Sequence, residues 1–294
     1  MNKINIFLFA LLLFGFGKRS MAQLNPLGTQ YYFNQYAANP AMAGIRPGME
    51  LNLGMRKQFN SISGSPTNHA LTAQYRYEKV GLGLNMYSDL AGLLKQSRVT
   101  GTYAYHLPIS KEGKELHFGL SLGMMYQRIS ADQIDGDADD GSVMGLGQRE
   151  TYFDGDFGVA YTSDRFTIQA AMPNMRHFFQ KEDNKTIDQS LYLTAISYKW
   201  YFSGAESSIS FEPKLTFRAI KGYDNLIDAG ANISLFDDKL WMMAMYHSSK
   251  SATMGLGINY GVFSIMGMYT SETAALRTYA DGSFEIGLVY RLFK

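Results

Sequence analysis

The fold class predicted by this sequence is all-β: a transmembrane antiparallel β-barrel of about 14 strands with an N-terminal non-barrel segment. Three observations carry that prediction. From residue 49 onward apolar side chains recur at every second position, in stretches bounded by Gly, Asp, Asn and Ser. The chain opens with a short apolar run of export type. After Gln23 no run of about 18 uncharged apolar residues occurs, so a transmembrane helix is not available.

The leader comes first. Lys3 supplies a positive start, Ile4 to Phe16 is almost unbroken apolar sequence, and Ser20-Met21-Ala22 places small residues where a signal peptidase reads them. Cleavage is expected between Ala22 and Gln23. The alternative, a membrane anchor, fails on length: thirteen helical residues span about 20 Å against a hydrocarbon core of roughly 30 Å. The expected organisation is therefore a signal peptide over 1–22, an N-terminal segment over 23–48 that acts as a plug or lies in the periplasm, and a barrel over 49–294.

The barrel segments follow. In Glu115 to Ile129, Leu116, Phe118, Leu120, Leu122, Met124 and Tyr126 share one face, and His117, Gly119, Ser121, Gly123, Met125 and Gln127 the other. The same split recurs in 208–219 and 283–293. The expected strands are 49–57, 67–77, 79–88, 96–107, 115–129, 151–162, 165–172, 187–202, 207–219, 225–236, 239–247, 252–260, 261–270 and 283–293. Most are near the length a tilted spanning strand needs. An even count permits closure, which leaves no strand edge exposed to lipid. Tyr75, Tyr77, Tyr103, Tyr105, Trp200 and Tyr201 near strand ends suit an aromatic girdle. The face opposite the lipid is expected to hold Gly, Ser, Thr, Asn and isolated charges, with Arg56, Arg76, Glu212, Lys214, Arg218, Glu285 and Arg291 as a polar lumen lining. Such charges persist when paired or wet, so they either line a water path or lock a plug.

Composition agrees. Only 18% of the residues are charged, where soluble domains carry roughly a quarter. Mean hydropathy is −0.16, as expected for a wall that is apolar at alternate positions. A net charge of +1 gives no case for nucleic acid as a partner. The absence of Cys removes disulfides, thiolate nucleophiles and Cys-ligated metals.

Candidate chemistry is sparse. The acidic run Asp135 to Gly141 does not fit a helix-loop-helix calcium loop, because Asp140 and Leu146 stand where Gly and Glu are required. Asp135, Asp137 and Asp139, with Asp132, form a weak calcium candidate in a long loop over 130–150. The five His show no metal-binding spacing. His247 and Ser248 are adjacent and point to opposite faces. No enzyme and no cofactor are expected. A lipid-modifying barrel enzyme ranks last, for want of a nucleophile arrangement.

One segment stands outside the alternation and carries a resemblance. Gln30-Tyr31-Tyr32-Phe33-Asn34-Gln35-Tyr36-Ala37-Ala38-Asn39-Pro40-Ala41-Met42-Ala43-Gly44 resembles the opening signature of the PorP/SprF family of type IX secretion system membrane proteins. In that family Q-Y-x-F-N is followed by N-P-A-x-A-G, so the matching positions are Gln30, Tyr31, Phe33, Asn34, Asn39, Pro40, Ala41 and Gly44. Arg56 to Phe59, Gly64 to Thr67, Gly81 to Leu84 with Asp89 and Gly92, Tyr103 to His106, and the ending Glu285 to Leu292 are similar too. Phe59 stands where Trp is common, Gln35 where Pro often follows Asn, and Lys294 extends past the terminal aromatic. The resemblance implies an outer-membrane barrel of Bacteroidota that serves secretion and gliding motility. It would export, or hold at the cell surface, a large secreted adhesin through that protein's C-terminal domain. The implied partners are that domain, other type IX secretion or gliding components, and outer-membrane lipid. The rival expectation is a channel for small solutes.

Overall fold

The computed structural model describes residues 29–59, 65–92, 94–129, 149–176, 191–203, 208–220, 225–271 and 282–292. Fifteen strands form one antiparallel sheet: β1 Gly48–Lys57, β2 Thr67–Tyr77, β3 Val80–Ala91, β4 Leu94–Pro108, β5 Glu115–Ile129, β6 Arg149–Thr162, β7 Phe166–Met172, β8 Leu191–Tyr198, β9 Trp200–Ser203, β10 Ser208–Ile220, β11 Leu226–Leu235, β12 Leu240–His247, β13 Ser251–Tyr260, β14 Phe263–Thr270 and β15 Ser283–Leu292. Apart from β8 and β9, which do not pair with each other, each strand pairs with its sequence neighbour; β10 also pairs with β8, and β1 pairs with β15, so the sheet closes. The two short strands β8 and β9 both pair with β10 and are interrupted only at Lys199, so together they make one stave. The wall therefore has fourteen staves, the number expected. The segment expected over 187–202 is the one the structure divides.

The reason for closure is the one legible in the sequence. Backbone donors and acceptors at the level of lipid tails have no water to bond, and a cylinder satisfies them all. The alternation sets which way each side chain points. Phe118, Leu120, Leu122 and Met124 are exposed on the outside, while His117 and Ser121 are buried inside. Tyr75, Tyr77, Tyr103, Tyr105 and Trp200 are exposed on the outside, whereas Tyr201, beside Trp200 and opposite the buried Ser210, is exposed from the inner face of its strand. Turns at one end are short, such as Glu78–Lys79 and Gly261–Val262, and β1 starts and β15 ends there. The other end carries the longer connections.

The inner face departs from expectation in one region. Trp241, Met243, Met245, Met266, Met268, Val289 and Leu193 point inward and are buried, where small and polar residues were expected. The sequence Leu240–His247 is apolar on both faces of its strand, so alternation gives no polar side to read. The interior tolerates these side chains because a peptide segment, rather than water, lies against them.

Candidate functional site

That segment is residues 29–47. It enters the lumen in the half nearer the long loops, crosses it, and leaves at the short-turn end to become β1. Three short 3₁₀ turns, Gln30–Tyr32, Gln35–Ala37 and Pro40–Met42, give it a compact path. Asn39 opens the last of these: its Oδ1 accepts from the Ala41 N–H at 3.0 Å and Pro40 follows. This is cap chemistry, in which the side chain replaces a helical acceptor and Pro loses no needed donor.

Each turn is bonded to the wall. Thr29 donates its backbone N–H to Glu285 Oε1 at 3.0 Å and its hydroxyl to the same oxygen at 3.0 Å, and Arg56 lies 3.5 Å from that carboxylate. The Tyr31 hydroxyl donates to Asp228 Oδ2 at 2.7 Å. Lys214 Nζ donates to the Tyr32 carbonyl at 3.3 Å, and Asn34 Nδ2 to Thr72 Oγ1 at 2.9 Å. The hydroxyls of Tyr36 and Thr102 are 2.8 Å apart. Asn39 Nδ2 donates to Gln169 Oε1 at 3.2 Å, and Gln169 in turn donates to Gln35. The Gly44 N–H donates to Gln74 Oε1 at 2.9 Å. Asn39, Ala41 and Ala43 have no exposed surface. These bonds replace water for both partners, and buried polar groups demand such replacement.

Close approach is provided by inward-facing glycines. A Cβ at Gly119 would meet Ala41 and Pro40, one at Gly158 would meet Asn39, one at Gly83 the Tyr36 ring, and one at Gly54 the Gln30 amide. At Gly44 the backbone has φ +69° and lies against the Gly81 Cα, a combination that suits only glycine. The wall is thus a mould for this segment. Its aromatic side chains fill the apolar side: Phe33 lies against Trp241 with ring centroids 3.9 Å apart, and Tyr31 and Tyr32 pack with Met243, Met245 and Met268.

Of the seven charged residues expected inside, all face the interior, and the structure brings most of them into ion pairs. Arg218 is bidentate on Asp228 at 2.8 and 3.0 Å. Arg76 is paired with Glu115 at 2.8 Å, and Arg291 with Glu50 at 2.8 Å. Glu212 accepts from the Ser197 hydroxyl. Burial leaves such charges tolerable only when bonded in this way. The expectations at Ala22 and Gln23, and at Asp135, Asp137 and Asp139, lie outside the described residues, as do 177–187 of the second long loop. Residues 173–176 of that loop turn inward, the Asn174 and Arg176 N–H groups donating to Asp156 and Asp154, whose carboxylates also hold Arg98.

His106 and His117 are expected from the sequence to flank one hairpin on the lumen face as a polar lining; their direct contact, and a second row at Asp228, are not legible in it. His106 and His117 face each other, Nδ1 to Nδ1 at 2.7 Å, with the Ala43 carbonyl 3.0 Å from His106 Nε2 and the Thr162 hydroxyl 2.8 Å from His117 Nε2. A carbonyl only accepts, so His106 donates through Nε2 and accepts through Nδ1, and His117 holds the opposite tautomer. Asp228, His247 and Thr253 form a second row, with His247 Nδ1 at 2.7 Å from Asp228 and Nε2 at 2.8 Å from Thr253. The order resembles a hydrolytic triad. Thr253 is wholly buried, its hydroxyl is also held by Thr270, and Asp228 is already paired with Arg218. The row therefore serves to orient the carboxylate that holds Tyr31. Cross-strand register could have signalled both arrangements; spacing along the chain could not.

Beneath the segment, toward the short turns, a cavity of about 1020 Å³ opens. Phe33, Met42 and Trp241 border it with Arg46, Glu50 and Arg291.

An antiparallel cylinder with an apolar exterior, a girdle of exposed Tyr and Trp, and a lumen moulded around its own N-terminal peptide defines a plugged outer-membrane β-barrel. The family model described as type IX secretion system membrane protein PorP/SprF matches residues 20–290, and the chain belongs to that family. No curated protein matches the sequence. Among solved structures, a variant of TodX, a monoaromatic hydrocarbon channel, aligns with a TM-score of 0.50 and 10% identity over 90% of this chain and 95% of its own. Omp33 of Acinetobacter baumannii aligns at TM-score 0.48 and 9% identity over 85% of this chain and 100% of its own. The toluene transporter TbuX of Ralstonia pickettii aligns at 0.47 and 11% over 95% and 96%. At these identities the TodX match speaks to the fold alone.

Proposed function

We propose that this barrel is a non-enzymatic component of the type IX secretion and gliding machinery that assists export, or surface anchoring, of a large secreted adhesin through its C-terminal domain. The observation that carries the reading is the filled lumen: the family's signature segment occupies the barrel through bonds to strands all around the wall. A wall moulded to its own peptide suits docking better than conduction. In this reading residues 1–22 are removed, 23–48 form the plug, and the short turns face the periplasm, as in barrels generally. The loops 130–150 and 173–187 then offer docking elements at the cell surface of a member of the Bacteroidota. Deleting the gene and fractionating cells tests this: the cognate adhesin should leave the surface fraction, and its retention there at normal level overturns the reading. Affinity purification of the detergent-solubilised barrel should recover the adhesin's C-terminal domain and other components of the machinery.

A solute channel is the second reading, supported by the cavity at the short-turn end. Single-channel recording of the purified barrel separates the two, because the plugged form should pass no steady current.

A further inference from the structure

The outer wall is not uniform around its circumference. From β7 to β15 every described outward side chain of the spanning strands is apolar or aromatic apart from Thr194. Charge faces outward at three described side chains, Lys57, Lys95 and Arg128, and all are cationic. They stand in one ladder row at the long-loop end: Lys57 opposite Thr67, Thr67 opposite Leu90, Leu90 opposite Lys95, and Lys95 opposite Arg128. Leu90 and Phe284, which flank the cations in that row, are 48% exposed, so the row faces out. Among the described side chains no carboxylate shares this outward face.

Two further rows descend beneath it on the same face. The first is Met55, His69, Ser88, Ser97 and Tyr126, with the Ser97 hydroxyl donating to Ser88 at 3.2 Å. The second is Leu53, Leu71, Met86, Val99 and Met124. A shallow external groove of about 560 Å³ runs along these two rows and reaches Ile286 and Leu288.

We infer that this strip is a binding site for a phosphorylated, acylated glycolipid of the outer leaflet. The order of chemistry down these strands is that of such a molecule. The cations face its phosphates, the hydroxyl and imidazole groups its sugars, and the apolar side of the groove its acyl chains. The long loops mark the extracellular end of a barrel, so the cationic row lies toward the outer leaflet and slopes with the strand tilt, Lys57 standing lower than Arg128. Lys57 and Lys95 are three strand spacings apart, about 14 Å, which suits one ligand carrying two separated anionic groups. Each basic side chain at a membrane surface attracts anionic headgroups by a worthwhile increment.

The test uses the full-length barrel in detergent, with native mass spectrometry after incubation with bisphosphorylated lipid A, fully dephosphorylated lipid A, phosphatidylethanolamine, or inorganic phosphate with a plain detergent. Bisphosphorylated lipid A should be retained, and the other three should bind at least about tenfold more weakly. Substituting Lys57→Gln, Lys95→Gln and Arg128→Gln together should lower lipid A retention at least about tenfold. These side chains lie outside the wall–plug contacts, and the heat-dependent gel shift of a folded barrel reports that the variant is intact. Where it is not, Lys57→Gln with Lys95→Gln alone carries the comparison. Equal retention by the wild type and an intact variant, or equal binding of the dephosphorylated lipid, overturns the inference. So does in-cell photocrosslinking at position 95 that captures a protein and no lipid.

Discussion

The Tyr31 hydroxyl lies 2.7 Å from Asp228 Oδ2, an oxygen that also accepts from Arg218 Nε at 2.8 Å, while His247 holds the other carboxylate oxygen. One carboxylate thus joins the peptide in the lumen to three strands of the wall. It is the point at which loss of a single atom most directly tests whether the plug is held.

Tyr31→Phe removes that bond and retains the ring. A hydrogen bond to a charged acceptor contributes about 1.5–3 kcal/mol, so the thermal midpoint of the detergent-solubilised barrel should fall by several degrees. An unchanged midpoint would mean that Tyr31 is held by packing alone.

Asp228→Ala should cost more, about 3–5 kcal/mol, because the buried Arg218 loses its bidentate partner along with Tyr31 and His247. Differential scanning calorimetry of both variants orders them. If the alanine variant were the more stable of the two, the carboxylate would not be the organising group.

Gly119→Leu places a side chain where Pro40 and Ala41 now lie. The strand itself can accept leucine, so the barrel should still fold while the plug is displaced. Planar-bilayer recordings should then show steady conductance that the wild type lacks. A deletion of residues 30–44 should behave alike, and silence in both variants would show that the lumen is sealed by something else.

Burial pushes the phenols of Tyr31, Tyr32 and Tyr36 above their ordinary value of 10.0. A raised folded-state value means the contribution is fully present below the unfolded value and is lost as pH rises toward the folded one. Stability should therefore be insensitive to these groups at neutral pH and decline above about pH 10. Replacing the three Tyr with Phe should flatten that alkaline decline, which pH-dependent melting would record; an unaltered slope rules out the phenols as its source.

The sequence by itself determined the wall. The alternation in Glu115 to Ile129 settled both its strand and its facing, because a period of two admits one outward set. Fourteen staves were legible because turn residues punctuate them. The division at Lys199 was not, since apolar and aromatic residues run through it without punctuation. What the tertiary structure alone decided was the use of the interior. Asn39 meeting Gln169, Ala43 meeting His106, and Tyr31 meeting Asp228 join positions separated by 130, 63 and 197 residues. No periodicity encodes such contacts. Nor could Trp241 and Met243 be read as interior while both faces of their strand were apolar. Register and closure bring these groups to one level of the lumen, and only there do the charges find partners and the glycines leave room for a peptide.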